Sequence, residues 1–97
     1  AFPSHIPPTI FARTAPHPDS SMAFMRQGFH AITLDDIRWK YCHIKSIALL
    51  PNVLLYQQAV EAKADEAILI HDGHAIEGTM SNLLIVRHNT LITPPLT

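Results

Sequence analysis

The spacing of apolar residues changes along the chain, and each change predicts an element. His30, Ile32 and Leu34 alternate with Ala31 and Thr33, the period of a half-buried strand. Asp35 and Asp36 interrupt it as a turn or a bulge. Residues 37–44 then read as a second extended run, with Trp39, Tyr41 and Ile44 as its large apolar members. From Pro51 the period lengthens. Leu50, Val53, Leu54, Gln57, Gln58 and Glu61 lie three or four apart, so a helix is expected with one greasy and one polar side. Pro51 suits a first helical turn, where a missing N–H costs nothing. The helix should fade near Lys63 and Ala64.

Beyond the helix, residues 65–71 hold the continuous apolar run Ala67, Ile68, Leu69, Ile70, as in a strand buried on both faces. Asp72 and Gly73 follow as a two-residue hairpin signal, with a return strand over 74–77. A small polar loop, 78–82, leads into a strand over 83–87. Asn89 and Thr90 make the next turn, and residues 91–93 start a last strand. Upstream, residues 1–13 contain Pro3, Pro7 and Pro8 and the apolar run 9–12, read as a loop and one short edge strand. Residues 14–22, TAPHPDSSM, are rich in Pro, Ser and Asp and suit an interdomain linker. The extended region begins at residue 23, and Gly28 marks the turn before its first strand. Strands, one helix and then a meander of strands make an α/β fold class.

Composition adds a constraint. Hydrophobic residues make up 47% and charged ones 15%, against a usual charged share of about 25%. A chain of 97 residues should need more polar surface, not less. Much of its surface is therefore expected to be covered by protein outside these residues. The absence of an initiator Met and the ends AFPSH and TPPLT suggest an internal piece of a larger enzyme or part of an oligomer. A formal net charge of −1 and the lack of a basic run argue against nucleic acid. The apolar runs fall far short of the ~20 residues that span a bilayer, and no signal peptide is visible. The single cysteine, Cys42, excludes an internal disulfide and suits a reducing cytoplasm. Its ordinary role is that of a small buried apolar side chain.

Lys45 lies between the expected strand end and the leucine-rich helix start. Desolvation there would favour the neutral amine, a nucleophile able to form a Schiff base with an aldehyde. The alternative is a solvated surface lysine whose stem lies on apolar neighbours. Glu77 ends a strand and precedes Gly78, which permits close approach of a ligand to the backbone. It is either a carboxylate facing a pocket, able to hold a proton on a heterocyclic nitrogen, or a plain loop acid. A Schiff-base lysine with such an acid is what a pyridoxal cofactor needs to act as an electron sink. His71 and His74 sit on opposite arms of the hairpin with no tetrahedral set to join, so no metal site is expected. Neither a G-x-S-x-G elbow nor a phosphate-cradling Gly-rich loop is present.

The blocks DIRWKYCHIKSIALLPNVLLYQQAVEAKADEAIL and HDGHAIEGTMSNLLIV strongly resemble the D-amino-acid aminotransferases. These belong with branched-chain aminotransferases and aminodeoxychorismate lyase among the fold type IV pyridoxal-phosphate enzymes. The D-I-R-W-x-x-C-x-I-K-S block is specific to the D-amino-acid branch, and E-G-x-x-S-N is shared more widely. The resemblance covers residues 1–97 and is sharpest over 32–82. It implies a two-domain α+β architecture: residues 1–13 as the last strand of a small N-terminal domain, 14–22 as the linker, and 23–97 as part of a larger, pseudo-barrel, cofactor-binding domain.

The resemblance also implies roles. Lys45 would be the catalytic Schiff-base lysine that shuttles a proton between substrate and cofactor. Glu77 would keep the pyridine nitrogen protonated, and Arg38 would lie near the phenolic oxygen. Thr79, Met80 and Ser81 would occupy the cofactor's flank, with Thr79 and Ser81 as binding residues. The implied cofactor is pyridoxal 5′-phosphate, and the reaction converts D-alanine and 2-oxoglutarate to pyruvate and D-glutamate. The implied assembly is a cytoplasmic homodimer acting on small amino and oxo acids. His43 stands where the family usually has Asp, and Met80 where it has a small residue, often serine. Branched-chain transamination and aminodeoxychorismate lysis are alternatives on the same scaffold, and a non-catalytic piece that only packs against a partner is a third. The family's phosphate-gripping arginine would lie upstream of these residues and its Gly-Ile-Thr turn downstream, so the piece alone should bind the cofactor poorly.

Overall fold

The computed structural model describes residues 3–16 and 22–95. It is built around a three-stranded mixed sheet in the order β1-β2-β3, with β1 over Ala31–Asp35, β2 over Glu66–His71 and β3 over His74–Gly78. The parallel pair β1 and β2 runs in register from Ala31 opposite Glu66 to Asp35 opposite Ile70. The connection between them contains the helix α2, Leu50–Glu61, as parallel neighbours require a crossover. A shorter helix, α1 (Met22–Gln27), precedes the sheet, and a separate two-stranded ribbon, β4 (Ile85–Arg87) with β5 (Thr90–Ile92), follows it.

The crossover helix is stopped by backbone geometry. Ala62 is its C-cap, and Lys63 takes a left-handed φ of 58°. Lys63 N–H donates to Val60 O, and Ala64 N–H to Ala59 O, the pair of bonds that closes a Schellman end. Both hairpins use two-residue turns with positive φ, as the twist of paired strands favours: Asp72 and Gly73 at 47° and 75°, His88 and Asn89 at 49° and 60°. The second turn thus lies one residue earlier than Asn89 and Thr90. The β2–β3 pairing is interrupted between Ile68 opposite Gly78 and Ile70 opposite Ala75. Leu69 therefore faces two residues, Ile76 and Glu77, and β3 carries a bulge there.

The buried apolar residues are Leu55 and Ala59 on α2 and Ala67 and Leu69 on β2. This small core differs from the expected greasy face of the helix, because Leu50, Val53 and Leu54 are exposed. The helix is apolar on more than one side, and the sheet takes only the side carrying Leu55 and Ala59. Large apolar side chains such as Ile10, Phe11 and Ile47 are almost fully exposed. The radius of gyration is 16.8 Å, above the value of about 13 Å for a compact chain of 100 residues.

Several elements depart from expectation. Residues 37–44 form turns rather than a strand. Cys42 N–H donates to Trp39 O, Ile44 N–H to Tyr41 O, and the Trp39 and Tyr41 rings meet edge to face at 5.7 Å. Local bonds and ring contacts replace a ladder that has no neighbouring strand to pair with. Residues 9–12 hold no strand either. An isolated extended segment has its peptide groups satisfied by water, and a strand exists only against a partner. The helix α1 stands within the region expected to be extended, because six residues are too few to display a period. The strand expected over 83–87 is shortened to Ile85–Arg87. Part of the linker region, residues 17–21, lies outside the described residues.

Candidate active site

Lys45, Arg38 and Glu77 line one cavity of about 530 Å³ together with Asn52, Thr79 and Ser81. They arrive from separate places. Arg38 stands just beyond β1, Lys45 in the irregular segment before α2, and Glu77 in the bulged half of β3. Asn52, in the first turn of α2, donates from Nδ2 to Thr79 O at 2.7 Å and ties the helix to the turn after β3.

Arg38 organises the charges. Its Nε and Nη2 donate to Asp36 Oδ1 and Oδ2 at 2.9 and 2.8 Å, a side-on bidentate pair. Its Nη1 donates to Glu77 Oε1 at 2.5 Å. The side chains of Asp36 and Arg38 are each only 7% exposed, while that of Glu77 is 37% exposed. Asp36 is held in place from the sheet, since its N–H donates to Ile70 O. The Arg38 hydrogen bond holds the Asp36 carboxyl below its ordinary value despite the opposing effect of burial. Asp36, more than burial, in turn pushes the Arg38 guanidinium still further above its usual range, with Glu77 adding to the effect. The cation is permanently charged and fixed between two carboxylates.

Lys45 is exposed and has no hydrogen-bonding or ionic partner among the described residues. The burial expected for it is not found among those residues. Cys42, expected to be buried, is also exposed and lines the same cavity. Glu77 Oε2 receives no protein donor among the described residues.

The turn over residues 78–81 is closed by Gly78 N–H donating to Ser81 O at 2.7 Å. Gly78 is needed for space. A Cβ there would meet Ser81 Oγ at 2.1 Å and Glu66 Oε2 at 2.9 Å. The hydroxyls of Thr79 and Ser81 both donate to Glu66, at 2.5 and 2.8 Å. Glu66 and Asp36 are residues that sequence reasoning missed. Asp36 is two places from Arg38, and a short Asp-x-Arg spacing was the available signal. Nothing local to Glu66 points to a turn 13 residues away.

No group of three or more His, Cys, Asp or Glu suited to a metal ion occurs among the described residues. No helix among them is long and apolar enough to cross a membrane.

The chain is similar to known proteins over much of its length. Over 72 residues the chain is 51% identical to a D-alanine aminotransferase of Bacillus licheniformis, covering 74% of this chain and 25% of that protein. Over 90 residues it is 39% identical to a D-alanine aminotransferase of Staphylococcus epidermidis, covering 93% of this chain and 32% of that protein. A Staphylococcus aureus D-alanine aminotransferase is 37% identical over 98 residues, covering 99% of this chain and 34% of that protein. The chain thus spans a quarter to a third of the length of the curated relatives it matches. The family model for amino-transferase class IV matches residues 2–97, and the chain belongs to the class IV aminotransferases.

Proposed function

We propose that the intact protein is a D-amino-acid transaminase, and that Lys45, Arg38 and Glu77 serve its pyridoxal 5′-phosphate. The observation that carries this reading is the meeting of an amine, a fixed cation and a carboxylate at one cavity. The donor set fits the cofactor by its chemistry: a primary amine for an aldehyde, a cation for a phenolate, an acid for a ring nitrogen. When bound, that group supplies an electron sink for the α-carbon of an amino acid.

Lys45 would bind the aldehyde carbon through Nζ and would move the proton at the substrate α-carbon. Glu77 would hold the ring-nitrogen proton at Oε2, because Oε1 is already engaged by Arg38. Arg38 has five N–H groups, and the three side-chain bonds above leave one on Nη1 and one on Nη2 for a phenolic oxygen. Thr79 and Ser81 would flank the cofactor through the turn they belong to.

The reaction in this reading is transfer of the amino group of D-alanine to 2-oxoglutarate, giving pyruvate and D-glutamate. The names of the relatives support the D-specific form. The same reading includes a cytoplasmic homodimer. It also keeps residues 1–13 in a small domain, 14–22 as a linker and 23–97 in a larger domain. The many exposed apolar side chains support coverage by further protein.

Borohydride reduction of the intact protein with pyridoxal phosphate, followed by peptide mapping, tests the site. A pyridoxyl mass on Lys45 is expected, and one on any other lysine overturns the assignment. Turnover of L-leucine or aminodeoxychorismate without turnover of D-alanine would remove the D-specific reading.

A further inference from the structure

The turn over residues 78–81 is a wall between two cavities. Gly78, Ser81 and Asn82 line the Lys45 cavity on one side and a second cavity of about 540 Å³ on the other. Glu66 lines the second and not the first. It sits at the start of β2, directly behind the turn.

All of the hydrogen bonds to its carboxylate but one come from that turn. Oε1 accepts from Thr79 N–H at 3.1 Å and from Thr79 Oγ1 at 2.5 Å, and Oε2 accepts from Ser81 Oγ at 2.8 Å. The remaining bond comes from Ala67 N–H at 2.9 Å. A hydroxyl has one proton to give. The protons of Thr79 and Ser81 are given to Glu66, and neither is left for a ligand in the Lys45 cavity. Thr79 is 2% exposed, so its hydroxyl has little room to turn elsewhere.

We propose that Glu66 is the positioning residue of the cavity wall, and that the Thr79 and Ser81 hydroxyls act on Glu66 rather than on the bound ligand. The carboxylate does not touch the reacting atoms. It sets where the 78–81 backbone stands, and through Asn52 on Thr79 O it couples that backbone to the start of α2. Burial opposes its charge, but the Thr79 and Ser81 hydroxyls and the Ala67 and Thr79 N–H groups outweigh burial and keep its carboxyl below the ordinary value. Glu66 is therefore a standing acceptor at neutral pH. What fills the cavity rests on the transaminase reading above; the hydrogen-bond network does not.

The test is a double-mutant cycle in the intact protein, pairing Glu66→Ala with Thr79→Val and with Ser81→Ala. Two quantities are read: the dissociation constant of pyridoxal 5′-phosphate and the melting temperature without added cofactor. Glu66→Ala should weaken cofactor binding about tenfold. Glu66→Gln, whose amide can accept from Thr79 and donate to Ser81, should restore binding to within about threefold of wild type. In the Glu66→Ala background, Thr79→Val and Ser81→Ala should add no further loss.

Equal losses from Thr79→Val or Ser81→Ala in both backgrounds would mean that the hydroxyls touch the ligand directly, and the proposal falls. A fall in melting temperature with unchanged cofactor affinity would reduce Glu66 to a structural residue and also overturn it. Where Glu66→Ala does not fold, Glu66→Asp takes its place, since its carboxylate is one methylene short of the turn. If Lys45 of the wild-type protein takes up no pyridoxal phosphate, the transaminase reading fails by itself. The hydrogen-bond network is then judged on melting temperature: non-additive Glu66 and Thr79 substitutions sustain the bond between Glu66 and the turn, and additive ones overturn the proposal.

Discussion

Arg38 donates from Nη1 to Glu77 Oε1 at 2.5 Å, although 39 positions separate the two residues. The contact depends on a defect in the sheet. Because Leu69 faces both Ile76 and Glu77, the extra residue in β3 breaks the simple alternation of faces and re-aims the Glu77 side chain. Arg38 meets it from the end of β1, held there by both oxygens of Asp36. The segment that follows the first strand is thereby joined to the third strand across the second, which lies between them.

Removing the cation should cost more than removing the charge of Glu77. Arg38→Ala leaves Asp36, with a side chain only 7% exposed, without its partner. Breaking a buried pair in this way costs about 3–5 kcal/mol, less where water can reach the survivor. A loss of about 2–3 kcal/mol is expected, read as the shift of a urea midpoint. Glu77→Gln should cost under about 1 kcal/mol, because that side chain is 37% exposed and an amide oxygen can still accept. Arg38→Lys should behave like the alanine variant more than like wild type, since an ammonium cannot bind Asp36 side-on. Equal costs for Arg38→Ala and Glu77→Gln would contradict the arrangement.

Gly78 carries a steric requirement. Its missing Cβ would stand 2.1 Å from Ser81 Oγ and 2.9 Å from Glu66 Oε2. Gly78→Ala must displace one or both, at a cost of about 1–3 kcal/mol. Adding Ser81→Ala should recover part of that loss, because the nearer obstacle is gone. Thermal melting of the two variants checks this, and an unrecovered loss would place the clash elsewhere.

Lys63 sits where a glycine is preferred. It holds φ at 58° in the closing turn of α2. Lys63→Gly should stabilise the protein by about 0.5–1 kcal/mol, since the left-handed conformation then carries no Cβ penalty. Alanine at the same position should not stabilise. A melting curve distinguishes them.

Acid should unfold the protein through Asp36 and Glu66. Both carboxyls lie below their ordinary values of 3.8 and 4.5 in the folded state. The unfolded chain then binds more protons than the folded one over that range, so stability rises with pH and is lost as the pH is lowered. The contribution is complete above the ordinary values and is lost as pH drops through the depressed folded ones. Glu66→Gln cannot titrate. Its stability deficit relative to wild type should be largest at pH 6–7 and should shrink progressively below about pH 4.5. A deficit that stays constant from pH 7 to pH 3 would show that Glu66 is not held ionised by the turn.

Much of the local architecture was legible in residues close together in sequence. The α2 helix announced itself through Pro51 and its three-to-four spacing, and the Asp72-Gly73 hairpin through its turn pair. Both depend on neighbours. The segment over 37–44 misled because bulky apolar residues favour strands only where another strand accepts them. The exposed face of α2 misled for a related reason, since Leu50, Val53 and Leu54 look as greasy as Leu55. Lys45 and Glu77 stood out by chemistry and by resemblance, and Arg38 by resemblance alone. Asp36 and Glu66 did not, because a carboxylate in an acidic-polar stretch looks like any solvated acid.

By itself the sequence determined the crossover helix, the β2–β3 hairpin, the family and the residue types at the cavity, since these follow from spacing, turn chemistry and motif. Tertiary structure alone decided which side of α2 is buried, that β3 is bulged beside Glu77, and that the Thr79 and Ser81 hydroxyls donate to Glu66. The physical reason is reach. Periodicity and turn preference act over a few residues, whereas burial and hydrogen bonding between distant side chains exist only once the backbone has brought them within about 3 Å.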